Sequence, residues 1–223
     1  MKAALLYAGD DAAIDADDAA FFHGSKALQP DDFAVHVATS EASRARSRGF
    51  VRVRRSSVLL PVVHTQLLRF ADAPTAFIAA ARRRSSERAV LGILSDALQR
   101  RLVTFDELMR AHAQGSPRNA VLTDRALADL GRGTRSVSEV DFSRLAAASL
   151  VLPPLFYNCL LRLPSGRLIS PDALAPGAAL VLHNSPRRIA AQGRVVIAQF
   201  ERVYLRDAGK GLPPGVEIVR IAA

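Results

Sequence analysis

Apolar and polar positions change period several times along the chain, and each change marks an element. Asp15 to Phe22 predicts a short helix. Asp15 caps it, Ala19, Phe21 and Phe22 form its apolar side, and Gly24 ends it. Phe33 to Thr39 alternates and predicts a strand. Ser40 to Gly49 is a polar connection carrying Arg44, Arg46 and Arg48, and Phe50 to Arg54 alternates again. Two neighbouring strands with a basic connection predict a small sheet.

Asp72-Ala73-Pro74 is a helix start: a cap, then proline in the first turn. From there to about Gly131 the period is helical, with Ala76, Phe77, Ala80 and Ala81 on one face and Val90, Leu91, Leu94 and Leu98 on another. Thr104 to Glu107 and Ser136 to Glu139 each have the form of a capping box. Between them Leu122, Ala126, Leu127 and Leu130 form an apolar stripe that Gly131 and Gly133 close. Beyond Pro153-Pro154 the period shortens. Phe156–Leu163 predicts a strand, Pro164–Arg167 a turn, and Leu168–Ser170 its partner. Ala178–Leu182 and Val216–Ile221 predict further strands, and Val196 to Tyr204 fits a helix.

Composition narrows the class. At 223 residues and 49% hydrophobic, the chain is long enough and apolar enough to bury a core. Its single cysteine, Cys159, excludes an intramolecular disulfide, fits a reducing compartment and reads as a core residue. No apolar run is long enough to span a bilayer, and the N-terminus turns acidic too soon for a signal peptide. A cytoplasmic protein with no membrane partner is expected.

Charge adds a direction. The net charge of +9 rests on arginine, because the lysines are Lys2, Lys26 and Lys210 alone. Residues 1–41 hold eight acids against two bases, so this segment carries −6 and the remainder +15. The remainder is the candidate polyanion-binding surface, unless the acidic segment folds back and neutralises it. Arginine forks match phosphate geometry, but GC-rich coding also favours arginine and alanine, and both sources stay open.

Several short motifs, in order, are similar to a family of actinobacterial proteins. That family joins an AbiEi-antitoxin-like winged helix, a middle α/β segment and a restriction-endonuclease-like domain related to very-short-patch-repair nucleases. Ala13 to Gly24 resembles the family's helix ending in His-Gly, and Val51-Arg-Val-Arg54 its basic strand before a Leu-Pro, here Leu60-Pro61. Ala73-Pro-Thr-Ala76 resembles its Pro-Ala-Arg helix start. Gln99-Arg-Arg-Leu-Val-Thr104 resembles its Gln-Arg-Gly-Leu-Val-Thr turn, and Arg135 to Phe142 the helix opening its nuclease domain. The resemblance implies an α+β fold in three parts: a small N-terminal α/β segment (residues 1–72), a helical region (73–133) and a degenerate nuclease-like α/β domain (134–223). It starts near the middle segment, so the winged helix is expected to be lost or to lie upstream of Met1.

In such a nuclease an Asp after a strand, an acid pair on the next strand and a nearby lysine hold a hard divalent metal and its water. Here the resemblance leaves Asp172, with Glu139 as the helix acid, as residual catalytic candidates. Leu182 and Asn184 stand where the acid pair belongs; in a second alignment the strand and the following helix are deleted outright. Glu139 is also explained by its capping box, and Asp172 after Pro171 by a turn. His23, His36, His64, His112 and His183 lack zinc-ligand spacing, so no metal or cofactor is expected, Mg²⁺ belonging solely to the residual-nuclease alternative.

Nucleic-acid contacts are expected from Arg44, Arg46 and Arg48, from Arg52 and Arg54, from Arg82, Arg83 and Arg84, and from Arg187 and Arg188. The reading that follows is a non-catalytic, antitoxin-like regulatory protein associated with DNA. A residual metal-dependent nuclease and a protein–protein module, with a partner encoded nearby, are the alternatives.

Overall fold

A computed structural model of the chain describes residues 1–57, 60–134, 137–148, 155–157, 159–162, 166, 168–169, 173–175, 180–182 and 217–220. The architecture is α+β, in two compact units, Met1–Ala128 and Asp129–Ala223.

The first unit opens with α1 (Lys2–Ala8), β1 (Ala13–Ile14), α2 (Ala16–Phe22), β2 (Val35–Ser40) and β3 (Val51–Ser56). β4 (Val62–His64), β5 (Arg69–Ala71), α3 (Ala73–Arg82), α4 (Glu87–Gln99), α5 (Phe105–Gln114) and α6 (Val121–Gly131) follow, and the chain leaves the unit within α6. Five strands form one mixed sheet in the order β3-β2-β1-β5-β4. β2 and β3 run parallel, in register from Val35 opposite Val51 to Ser40 opposite Ser56. A parallel pair requires its connection to travel back the length of the strand, roughly 20 Å for six residues. The segment carrying Arg44, Arg46 and Arg48 makes that return, pinned by the Tyr7 hydroxyl, which donates to the Arg46 carbonyl at 2.9 Å.

The predicted strands over 33–39 and 50–54 are β2 and β3, shifted by one or two residues. β1, β4 and β5 went unpredicted, because two or three residues show no period. Helix α3 starts as predicted: the Asp72 side chain accepts from the Thr75 N–H at 3.1 Å, with Pro74 in the first turn. It buries Ala76 through Ala81 without a polar break, since α2, α4 and α5 all pack on it. Phe77 within that run is fully buried, a burial that stabilises by about 1.5–3 kcal/mol. Ile14, Val37, Val90, Leu94 and Leu108 complete the centre of the core.

Helix α2 departs from its predicted orientation. Phe21 and Phe22 are about half exposed, whereas Asp17 and Asp18 are buried with Ala16, Ala19 and Ala20. The acids tolerate burial because each has a partner. Asp17 Oδ2 accepts from Arg84 Nη2 at 2.9 Å, and Asp18 Oδ2 accepts from the His36 backbone N–H at 3.1 Å. Phe22 instead stacks flat on Phe70, ring centroids 3.9 Å apart. Asp15 occupies the cap position of α2 but makes no side-chain cap; its carboxylate turns to Arg54.

The second unit contains α7 (Val137–Ala147), β6 (Phe156–Tyr157), β7 (Leu160–Arg162), β8 (Leu168–Ile169), β9 (Ala173–Ala175), β10 (Leu180–Leu182) and β11 (Glu217–Arg220). They form two three-stranded sheets, β10-β9-β6 and β11-β7-β8. The single strand predicted over 156–163 is therefore two strands serving different sheets, parted near buried Cys159. Burial raises the Cys159 thiol pKa, which suits the core role read from the sequence. The predicted partner is β8, antiparallel to β7 with Leu161 opposite Ile169. At the start of this unit Asp129 is buried between Arg132 and Arg144, which both donate to it. The helix predicted over 196–204 lies outside the described residues. No helix among the described residues is long and apolar enough to cross a membrane.

Candidate functional site

β3 lies at the sheet edge with β2 as its strand partner. Its alternation buries Val51 and leaves Arg52 exposed and Arg54 half-buried. The last turn of α3 brings Arg82 and Arg83 alongside, and the turn after α5 adds Ser116, Arg118 and Asn119. Together they bound a cleft of about 500 Å³ whose basic lining is Arg52, Arg54, Arg55, Arg82, Arg83 and Arg118. Asp15 is the one carboxylate among its lining residues, and Val37, Ile78, Ala79 and Ala111 supply an apolar wall.

Two arginines are fixed by the protein itself. Arg54 Nε donates to Asp15 Oδ2 at 2.6 Å, and Asp15 is 1% exposed. The pair is not a two-pronged fork, since Asp15 Oδ1 and Arg54 Nη2 are buried with no partner among the described residues. Arg82 Nη2 donates to the His112 carbonyl at 2.9 Å and lies 3.0 Å from His112 Nδ1. A guanidinium offers donors alone, so Nδ1 must accept. The ring proton is thereby assigned to Nε2, which donates to Asp124 Oδ1 at 2.5 Å. Asp124, His112 and Arg82 thus form a line of hydrogen bonds ending at the cleft. Burial lowers the Arg82 pKa, the charge of Arg54 lowers it further, and Asp124 opposes both. The guanidinium nevertheless stays charged near neutral pH.

The backbone is shaped here as well. Ala16 (φ 51°) and Asn119 (φ 58°) both line the cleft in the left-handed region. For alanine that conformation costs roughly 1–2 kcal/mol, and such strain gathers at ligand clamps. Gly115 leaves room for the Arg82 guanidinium, which a Cβ there would push aside.

Such a cleft can hold an oxyanion. Six guanidiniums against one carboxylate make a strongly positive concavity, and arginine forks match phosphate oxygens. His36 lines the same cleft, but its Nδ1 stands 3.6 Å from Asp18 Oδ2 and has no hydrogen-bond partner among the described residues. Among those residues no three His, Cys, Asp or Glu side chains converge as a metal site would require.

The structure gathers some of the predicted residues and scatters others. Arg52, Arg54, Arg82 and Arg83 share the cleft. Arg84 does not, being tied to Asp17. Arg44, Arg46 and Arg48 are exposed on the return segment, and Arg46 shares a second, shallower hollow with Arg55. Glu139 is half-buried on α7, while Asp172, Arg187 and Arg188 lie outside the described residues. The acidic segment does fold back, Asp15 meeting Arg54 and Asp17 meeting Arg84. Asp15, His112, Arg118, Asn119 and Asp124 were not singled out as site residues in the sequence, where nothing in their spacing joins them to Arg54 or Arg82. No protein-family model matches the chain, and neither a curated protein nor a solved structure matches it significantly.

Proposed function

We propose that this chain is a non-catalytic, antitoxin-like regulatory protein that associates with DNA through its arginine cleft. The observation that carries the reading is the convergence of arginines from β3, the end of α3 and the turn at 115–119 on one concavity. The 41–50 return segment adds the exposed Arg44, Arg46 and Arg48 to the basic surface of the same unit. Phosphate contacts of this kind bind without regard to sequence, with Kd roughly 10⁻⁴–10⁻⁶ M near physiological salt.

The family resemblance supports the regulatory half of the reading. Arg101 stands where the family's turn has glycine, and its φ of 56° is a conformation that favours glycine. In the same reading the second unit is a restriction-endonuclease-like domain whose second-strand acids are lost, either replaced by Leu182 and Asn184 or deleted with their strand. Asp172 and Glu139 would remain without the second-strand acids, an incomplete oxygen set for a magnesium ion, so hydrolysis is not proposed.

The test is anisotropy of a short labelled duplex across a salt series. Binding is expected to weaken steeply with salt, and each phosphate contact removed by Arg52→Gln, Arg83→Gln or Arg118→Gln should flatten the log–log slope by about 0.9. An absence of binding at low salt sinks the DNA reading. Cleavage of plasmid DNA in Mg²⁺, abolished in Asp172→Ala, overturns the non-catalytic reading.

A further inference from the structure

We infer that the floor of the arginine cleft is a site for a phosphate monoester, the dianionic end group of a free nucleotide or of a 5′-phosphorylated strand. The inference rests on the cleft being a phosphate site, though not on duplex DNA being its ligand.

Three observations narrow the ligand. First, Arg54 and Arg82 are each anchored on one side and incomplete on the other. Arg54 uses Nε on Asp15, and Arg82 uses Nη2 on His112. Arg54 Nη2 and Arg82 Nε are shut off from water and have no partner among the described residues. A charged donor buried without an acceptor is costly. Each guanidinium, held on one edge, keeps further N–H donors for an anion seated in the cleft. Second, a monoester fits better than a diester. It carries about −1.5 to −2 charge at neutral pH and three free oxygens. A backbone diester has one charge and two free oxygens. One buried aspartate offsets little of six guanidiniums, so the doubly charged group gains more. Third, the cleft has room and surface for the rest of such a ligand. Its volume of about 500 Å³ is within the roughly 300–1,000 Å³ typical of small-molecule sites. Ile78, Ala79 and Ala111 give an apolar wall, which a duplex backbone does not need but a sugar and base can use.

Calorimetry with the full chain tests this, using deoxyadenosine 5′-monophosphate, deoxyadenosine and inorganic phosphate, then the same duplex with and without 5′-phosphates. The monophosphate is expected to bind and the nucleoside not, with inorganic phosphate weaker than the monophosphate. Arg82→Gln should weaken monophosphate binding at least tenfold. Should that variant misfold, Arg118→Gln on the exposed turn and Gly115→Ala, which displaces the Arg82 guanidinium, should each weaken it as well. Preference for the phosphorylated duplex over the monophosphate assigns the site to strand ends, and the reverse preference to a free nucleotide. Monophosphate and nucleoside binding equally, while unphosphorylated duplex binds with steep salt dependence, overturns the monoester site and leaves the DNA reading standing. Monophosphate binding without any duplex binding does the opposite.

Discussion

Arg54 Nε donates to Asp15 Oδ2 across 2.6 Å, tying the edge strand β3 to the residue that precedes α2. Asp15 is buried while the Arg54 side chain is 41% exposed, so the carboxylate depends on the guanidinium more than the reverse. It is also the one acid opposing the charge of the cleft. Asp15→Asn should therefore separate stability from binding. Removing a partner from a fully buried pair costs about 3–5 kcal/mol. With Arg54 screened by water and an amide oxygen still accepting, a loss of about 1–3 kcal/mol is expected. Phosphate affinity should rise, because the opposing charge is gone. Urea unfolding and phosphate titration of the same variant measure the two effects, and weaker phosphate binding would show instead that the carboxylate chiefly positions Arg54.

Arg84 makes the complementary case. Its pairing with buried Asp17 holds the end of α3 to α2. Arg84→Ala is expected to destabilise the first unit by about 2–3 kcal/mol, since it strands a buried carboxylate. Phosphate binding by the remaining folded protein should change less than twofold. A loss of affinity as large as that of Arg82→Gln would place Arg84 in the binding surface.

Arg101 ends α4 in a conformation suited to glycine. Its N–H donates to the Leu98 carbonyl and that of Leu102 to the Ala97 carbonyl, both at 3.0 Å, the pair of bonds of a Schellman motif. Arg101→Gly relieves the left-handed strain, while the freer unfolded chain offsets part of the gain. A net stabilisation of about 0.5–1 kcal/mol is expected, read as a higher urea midpoint at unchanged slope.

The capping box of α5 carries a pH dependence. The Thr104 side chain accepts from the Glu107 N–H, and Glu107 Oε2 accepts from the Thr104 N–H at 2.7 Å and its hydroxyl at 2.8 Å. The backbone bond, then the hydroxyl bond, lowers the Glu107 pKa below its usual value. A depressed carboxylate contributes stability that is present above its unfolded pKa, about 4.3, and is lost as pH falls through the lower folded value. The stability difference between wild type and Glu107→Gln should therefore be widest near neutral pH and shrink in acid. Thr104→Ala, which removes the cap itself, should cost about 1 kcal/mol. Melts of the three proteins across the acid range provide the check.

Elements whose hydrogen bonds close within a few residues were legible in the sequence. The Asp72 cap and the Thr104–Glu107 box appear where the pattern placed them, and β3 lies within one or two residues of its alternating run. The face of α2 was misread because burial there follows distant partners. Asp17 and Asp18 are inside on account of Arg84 and His36, while Phe22 finds Phe70. Likewise, no local pattern marks the two-residue β1, which holds its place by pairing with β2 and β5.

The sequence by itself determined the starts of α2, α3 and α5, the two longer strands and the basic excess. The helix starts and strands are set by residues within a turn or a strand of one another, and the basic excess by composition alone. Tertiary structure decided which arginines bind the protein and which line the cleft. Arg82, Arg83 and Arg84 are consecutive, yet the first lines the cleft while held by His112, the second lines it too, and the third pairs with Asp17. A guanidinium's role is set by the acceptors that folding brings within reach of it, and those come from elsewhere in the chain.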